Sequence, residues 1–556
     1  MTVKTWIANE IVLESSKIYA NALEEVDVFA TFTCGNKTLT IPAFWDGGKT
    51  WKVRFALPKV GIWSYTTDST DAENLGLKTS GEIECVAYDG DKAIYKHGFV
   101  KTVPNKRYFV YDDGTPFFYL GDTHWSFNME EWDEPGDHAD ETKCTSHFKY
   151  LVDKRVEQGF TVYQSEPNGL KLEDGISEED LEAFKNFDLR FKYIADAGLV
   201  HANAQINFTR WIAQMKRVGD AQYMKRLARY WVARFGAYPV MWTLAQECDA
   251  DYYFNRSGYG HCFQKEDNPL KVVAEGIFES DPYAHPLTAH MCYSTMNANA
   301  PDWEGVVPST SAFREVKGHS WYSYQWPIGM DNPIDYEIPR DGLINGQGKP
   351  CVVYESRYDG LETKNFGARG MGWIAYLNGM YGYGYGAVDI WFYKSGYYGD
   401  RTSFDGHDHI TPEEKLKHWS ESVEFKTPYQ LNYMRQFFEK LSWWKLMPRF
   451  DSPFWFIPEN KSYPYSIASD ERKLFVAYFN NVGFETGTFP ALDRAIYSYQ
   501  WFDPRHNLYT EKSFFEPDVN RMWRAPFKPT PDDWVLLVKK EKPSKAKIDT
   551  TIFERE

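Results

Sequence analysis

Through the first hundred residues apolar and polar positions alternate with a period of two. Val53, Phe55, Trp63 and Tyr65 occupy every second place in short runs broken by the turns WDGGKT (45–50) and PKVG (58–61). One-sided alternation punctuated by Gly and Pro predicts half-buried strands, and residues 1–100 are read as a β-sandwich. From 101 to 450 the period changes. Apolar runs of strand length now alternate with amphipathic helical stretches, which predicts βαβ units around a parallel sheet. Eight runs qualify as strands: PFFYLGDTHW (116–125), FTVYQSE (160–166), LVHANAQI (199–206), PVMWTLAQE (239–247), PLTAHMCY (286–293), HSWYSYQ (319–325), PCVVYES (350–356) and GAVDIWF (386–392). Between them Met224, Leu227, Trp231 and Phe235 recur at helical spacing behind Asp220, which predicts a capped helix over 220–235 whose rings pack outside the sheet. Strand periodicity returns in KLFVAYFNN, AIYSYQWFDP and DWVLLVKK, so 451–556 is read as a second β-sandwich. The expected fold is α/β: a central (β/α)8 TIM barrel at 101–450 flanked by the two sandwiches.

Length agrees with this division, because 556 residues exceed what one core supports. Aromatic content changes the picture further. With 21 Trp, 38 Tyr and 38 Phe, rings make up 17% of the chain, while the net charge is −16. Aromatic faces stack on sugar C–H faces, and an acidic balance disfavours phosphate backbones, so the expected partner is an oligosaccharide or glycoside and not nucleic acid. No apolar run approaches the roughly 20 residues needed to span a bilayer, which argues against a membrane partner. Seven cysteines without CxxC spacing point to reduced thiols. The first residues lack the apolar core of a secretory signal, so a cytoplasmic location is expected. Whether the chain forms a homo-oligomer is left open.

In barrels of this kind, reactive side chains sit at the C-terminal strand ends. The polar residues there are Asp122, Glu166, Asn203 or Gln205, Glu247, His290, Tyr324 or Gln325, Glu355 and Trp391. Carboxylates and amides with no Ser-His-Asp set suit acetal hydrolysis, which needs one carboxylic acid to protonate the leaving oxygen and one carboxylate to attack or to activate water. Glu247 and Glu355 are the expected catalytic pair, with Gln246 placed to bind a sugar 2-hydroxyl. The chemistry calls for no cofactor and no metal. The run Asp405-Gly406-His407-Asp408-His409 lacks the spaced geometry of a metal motif and is read as a loop at the substrate entrance. Either glutamate could instead cap a helix or pair with Arg357 or Arg369.

Two segments carry family resemblances. Through Phe44, Asp46, Gly47, Trp51, Arg54, Phe55, Gly61 and Tyr65 the N-terminal stretch resembles the immunoglobulin-like module DUF5060. Through GTPFFYLGDTHWSF, YPVMWTLAQE, VVYESRYDG and GARGMGWIAYLNGMYGYGYGAVDIW the central region resembles the apiosidase-like family DUF4038. The strand order also resembles the retaining clan that carries its acid/base on strand four and its nucleophile on strand seven. These resemblances imply a retaining glycoside hydrolase acting on a terminal sugar, with a pentose or furanoside such as apiose or arabinofuranose as the expected substrate. The segment Ala245-Gln246-Glu247-Cys248-Asp249 departs from the expected glycine-rich acidic context, so Asp249 is an alternative acid.

The remaining roles follow from position. Trp391 would floor the sugar site, Asp122 with Trp125 would hold hydroxyls, Tyr324 would hydrogen-bond the nucleophile, and His290, Glu166 and Gln205 would line the site. Two alternatives stay open: an inverting hydrolase with Asp122 or Glu166 as base, and a carbohydrate-binding protein without catalysis.

Overall fold

In a computed structural model of the chain, the residues described are 1–134, 144–204, 215–244, 269–288, 350–355, 358–359, 367–387, 390, 419–449, 455–459 and 466–541.

The N-terminal alternation forms two sheets. A five-stranded sheet orders Thr2–Lys4, Ser80–Val86, Gly61–Ser69, Val28–Cys34 and Lys37–Pro42, and a three-stranded one orders Asn9–Glu14, Thr50–Phe55 and Phe44–Trp45. Val53, Phe55 and Trp63 are fully buried between them, as the period of two requires. Arg54, on the opposite face of its strand, is also buried; it donates to Asp188 at 2.8 Å and to Glu10 at 2.6 Å. Asp188 accepts as well from Arg234 at 2.6 Å, and Arg234 reaches Asp46 at 3.0 Å. This lattice fastens the N-terminal sheets to the helices of the central region.

The central region builds a parallel sheet, with β1 (Tyr119–His124), α1 (His147–Glu157), β2 (Val162–Ser165), α2 (Glu178–Ala197), β3 (Val200–Ala204), α3 (Ala221–Phe235), β4 (Val240–Thr243), α4 (Pro269–Ser280), β5 (Leu287–Thr288), α5 (Gly367–Leu377), β6 (Gly382–Tyr385) and α6 (Lys426–Glu439) in chain order. The six strands lie in the order β5-β4-β3-β2-β1-β6, so the last returns beside the first as in a half-closed barrel. The helix expected over 220–235 is α3. Asp220 caps it by accepting from the Gln222 and Tyr223 amides, both at 3.1 Å, and Met224, Leu227, Trp231 and Phe235 are buried.

Three strand expectations are corrected. The PFFYLGDTHW run splits, because Pro116–Phe117 pairs antiparallel with Phe109–Tyr111 and the parallel strand starts only at Tyr119. Among the described residues PCVVYES carries isolated bridges at Cys351 and Val353, the latter parallel to Tyr383, in place of a continuous strand. The strand expected over GAVDIWF lies instead at Gly382–Tyr385; among the described residues beyond it, Ala387 bridges to Asp359. Alternating Gly and Tyr explains the shift: a Cβ at Gly384 would stand 2.2 Å from the Tyr354 carbonyl oxygen, so the crowded face admits only glycine while the tyrosines fill the other. The run HSWYSYQ lies outside the described residues.

The C-terminal alternation forms an antiparallel sheet through Ser466–Asp470, Leu474–Phe479, Trp534–Lys540 and Tyr497–Asp503, with Ala477, Phe479, Leu536 and Val538 fully buried. Arg369 on α5 donates to both oxygens of Asp533, at 3.0 and 2.9 Å, which fixes this sheet against the central helices. Among the described residues no helix is long and apolar enough to cross a membrane.

Candidate active site

The parallel sheet has two chemically different faces. Gly121 faces Gln164, since a Cβ there would meet the Gln164 amide oxygen at 2.2 Å. Tyr119, Val162, Val200, Ala202 and Met241 share one buried cluster with Val352, Tyr354, Trp125 and Tyr358. Leu120, Tyr163, Trp242, Tyr383 and Tyr385 belong to the other, with the helices. The first face carries the candidate site.

Glu355 lies where the seventh expected strand ends. Its Oε1 accepts a hydrogen bond from the Trp125 indole N–H at 3.2 Å and another from the Tyr358 hydroxyl. Trp125 Nε1 also reaches the Tyr358 oxygen, at 2.6 Å, so the ends of the first and seventh segments meet here across 230 residues of sequence. Burial, reinforced by the negative charge of Glu355, pushes the Tyr358 hydroxyl well above its ordinary pKa and keeps it a donor. Tyr354 stacks against Trp125 with ring centroids 6.1 Å apart, and its hydroxyl is 2.9 Å from the Thr243 hydroxyl at the end of β4. Burial pushes Tyr354 up as well, and the charges of Glu166 and Glu355 add to the push, so this ring stands within electrostatic reach of both carboxylates. Glu166 is buried, and Gln164 donates to the Tyr354 carbonyl at 2.6 Å. Two carboxylates, an indole and two phenols therefore converge at one mouth of the sheet.

Asp122, expected beside Trp125 to hold hydroxyls, points the other way, into the helix layer. Its Oδ2 lies 2.6 Å from Arg155 Nε on α1 and 2.8 Å from His124 Nε2, and all three side chains are buried. His124 Nδ1 in turn is 2.7 Å from Glu130. Burial alone would favour the neutral forms of Asp122 and His124. The Arg155 and His124 charges outweigh it and hold the Asp122 carboxyl below the usual range, while Glu130 and Asp122 push the His124 imidazole up to about 9. Asp122 thus anchors β1 to α1, and its nearest described partners are cations.

Gln205, Gln246, Glu247, Asp249, His290, Tyr324 and Trp391 lie outside the described residues, as does the 405–409 segment. The structure brings together Trp125, Glu166 and Glu355 of the expected set. Sequence reasoning missed Tyr354, Tyr358 and Thr243. The signal for Tyr358 was present in VVYESRYDG, where a phenol three residues past the carboxylate can turn back onto it.

The chain matches the family described as Apiosidase-like, catalytic domain, over residues 103–445, and the domain of unknown function DUF5060 over residues 2–70. Among solved structures it is similar to a putative glycoside hydrolase from Bacteroides vulgatus ATCC 8482, with a TM-score of 0.64, 17% identity, and coverage of 97% of this chain and 100% of that chain. It is also similar to a family 5 glycoside hydrolase from the same organism, with a TM-score of 0.56, 14% identity, and coverage of 80% of this chain and 94% of that chain. At these identities the likeness is one of fold. No match was found among curated protein sequences. With its match extending over more than half of its length, the chain belongs to the Apiosidase-like family and is a glycoside hydrolase.

Proposed function

We propose that this glycoside hydrolase retains anomeric configuration and removes a terminal pentose or furanoside from plant or microbial glycan fragments, with Glu355 as nucleophile and Glu247 as acid/base. The observation that carries the reading is the hold on Glu355 by two neutral donors, at a strand end, on the same face as Glu166. In the first step Glu355 attacks the anomeric carbon, the bond to the leaving oxygen breaks, and Glu247 gives that oxygen its proton. In the second, water attacks the same carbon, the ester bond to Glu355 breaks, and the water's proton passes to Glu247. No cofactor enters either step. Trp125, backed by the buried Tyr354 ring, supplies the aromatic edge beside Glu355 for the sugar ring.

The family and the parallel order of β1 to β6, with its bridges at Val353 and Asp359, support closure into a (β/α)8 barrel over 101–450. Sandwich modules at 1–100 and 451–556 complete the proposed division. A second reading is favoured by the buried Glu166 on the reactive face, which would serve as the base of an inverting enzyme.

One experiment separates the two. The wild type is tested on aryl pentosides and hexosides, and the first-formed anomer is read by proton NMR. Retention is expected, and inversion sinks the Glu355 nucleophile. Glu355→Gln is expected to lower turnover by about 10^4-fold or more, because nothing else supplies the covalent intermediate. Glycan binding without turnover in the wild type would point to a non-catalytic carbohydrate-binding protein.

A further inference from the structure

We infer that Tyr358 is the positioning residue that holds and charges Glu355, and that Trp125 orients it for this task; the inference rests on reading Glu355 as the nucleophile. An indole has one N–H and no acceptor, and a phenol has one proton and acceptor lone pairs. The Trp125 N–H lies 2.6 Å from the Tyr358 oxygen, closer than its 3.2 Å approach to Glu355. Directed at a lone pair of the phenol, it leaves the single phenolic proton for Glu355 Oε1, which Tyr358 contacts.

The surroundings fix Tyr358 in this pose. A Cβ at Gly386 would stand 2.5 Å from the Tyr358 ring and 2.5 Å from the Thr123 hydroxyl, so the glycine after β6 is the space into which the ring is pressed. Next to it, the Asp359 amide donates to the Gly386 carbonyl at 2.8 Å, and Asp359 Oδ2 accepts from the Tyr385 hydroxyl at 3.0 Å. Residues 358 and 359 are thus pinned to the end of β6. The first of them turns its hydroxyl back onto a carboxylate three positions earlier.

This arrangement does two things for a double displacement. In the free enzyme the donor favours the ionised carboxylate, so the nucleophile is charged at working pH. On attack that charge is lost into the ester, and when water breaks the ester bond the same donor stabilises the departing carboxylate.

The test is the titration of Glu355 in the full chain, read by 13C NMR of carboxyl-labelled glutamate and assigned by the signal lost in Glu355→Gln. Tyr358→Phe removes the proton and keeps the ring; it should raise the Glu355 midpoint by about one pH unit or more, a tenfold change in proton affinity. With 3-fluorotyrosine at position 358 the fold is kept and the donor strengthened, so the midpoint should move down. Opposite shifts support the inference, and the fluorotyrosine arm decides alone if Tyr358→Phe does not fold. A midpoint that stays put with fluorotyrosine, or in both variants, overturns it, because a merely structural Tyr358 would alter stability without moving this titration. Failure of the nucleophile reading shows separately, as turnover that survives Glu355→Gln while the NMR shifts still occur.

Discussion

Two carboxylates near strand ends, the buried Asp122 and the half-buried Glu355, receive opposite treatment. Asp122 faces the helix layer and is met by cations, Arg155 and His124. Glu355 faces the reactive mouth, and its donors among the described residues are neutral, an indole N–H and a phenol O–H. A carboxylate compensated by a buried guanidinium is held in place and made a poor nucleophile, because its charge is already balanced. Hydrogen bonds from neutral groups keep the charge available. Opposite sides of one sheet therefore separate a carboxylate that anchors from one suited to react.

The comparison breaks first at Arg155. Arg155→Met removes the guanidinium 2.6 Å from Asp122 and leaves a buried carboxylate short of its main countercharge. Stripping one partner from a buried ion pair costs about 3–5 kcal/mol. The urea midpoint should fall accordingly, while the acid limb of the pH–rate profile, which reports the reactive carboxylates, stays where it was. Adding Asp122→Asn should recover part of the loss. A single variant within about 1 kcal/mol of the wild type would show that the anchor is not electrostatic.

The same cluster predicts how stability depends on pH. His124 stacks on Tyr163 and lies between Asp122 and Glu130, with His201 nearby on β3. Its folded pKa of about 9 exceeds the model-peptide value of 6.5. Below the unfolded value it is charged in both states and its contribution is fully present; as pH rises through about 9 the folded imidazole loses its proton and the contribution disappears. The shift corresponds to about 3 kcal/mol at most, since one pH unit is 1.36 kcal/mol. Melting temperatures from pH 6 to 10 should decline in the wild type across that window, and His124→Gln should flatten the decline. Parallel curves for the two proteins would remove His124 from the account.

How much of this contrast the sequence carried depends on parity. Asking for the polar residue at each strand end returned both Asp122 and Glu355, because it ignored which face each side chain takes. In β1 the face toward the mouth is marked by Gly121, a residue with no side chain to reveal it, so the neighbouring Asp122 stood out instead. The last strand was likewise expected too late, over GAVDIWF, past Gly382 and Gly384, whose missing side chains leave room for Val352 and for Tyr354 and Gln164. Patterns set by a single element were legible, as in the Asp220 cap of α3 and the alternation at Val53, Phe55 and Trp63. Contacts set by two distant elements were not. Nothing local announces that Trp125 will meet a carboxylate 230 positions away.

The mildest way to sharpen the comparison is Gly386→Ala, which adds one methyl on the Glu355 side and none near Asp122. The new carbon would arrive 2.5 Å from the Tyr358 ring and from the Thr123 hydroxyl. Tyr358 is buried, so its ring cannot swing into solvent, and either it or the end of β6 must give way. Overpacking of this kind costs about 1–3 kcal/mol. The stability loss should thus be at most comparable to that of Arg155→Met, but the functional signature should be the reverse. Displacing the phenol weakens its hold on Glu355, so the acid limb of the pH–rate profile should move to higher pH, whereas Arg155→Met moves stability and leaves the limb alone. A Gly386→Ala enzyme with an unmoved acid limb would mean that the ring adapts without releasing the carboxylate. The division between an anchoring and a reacting carboxylate would then rest on the cation pair alone.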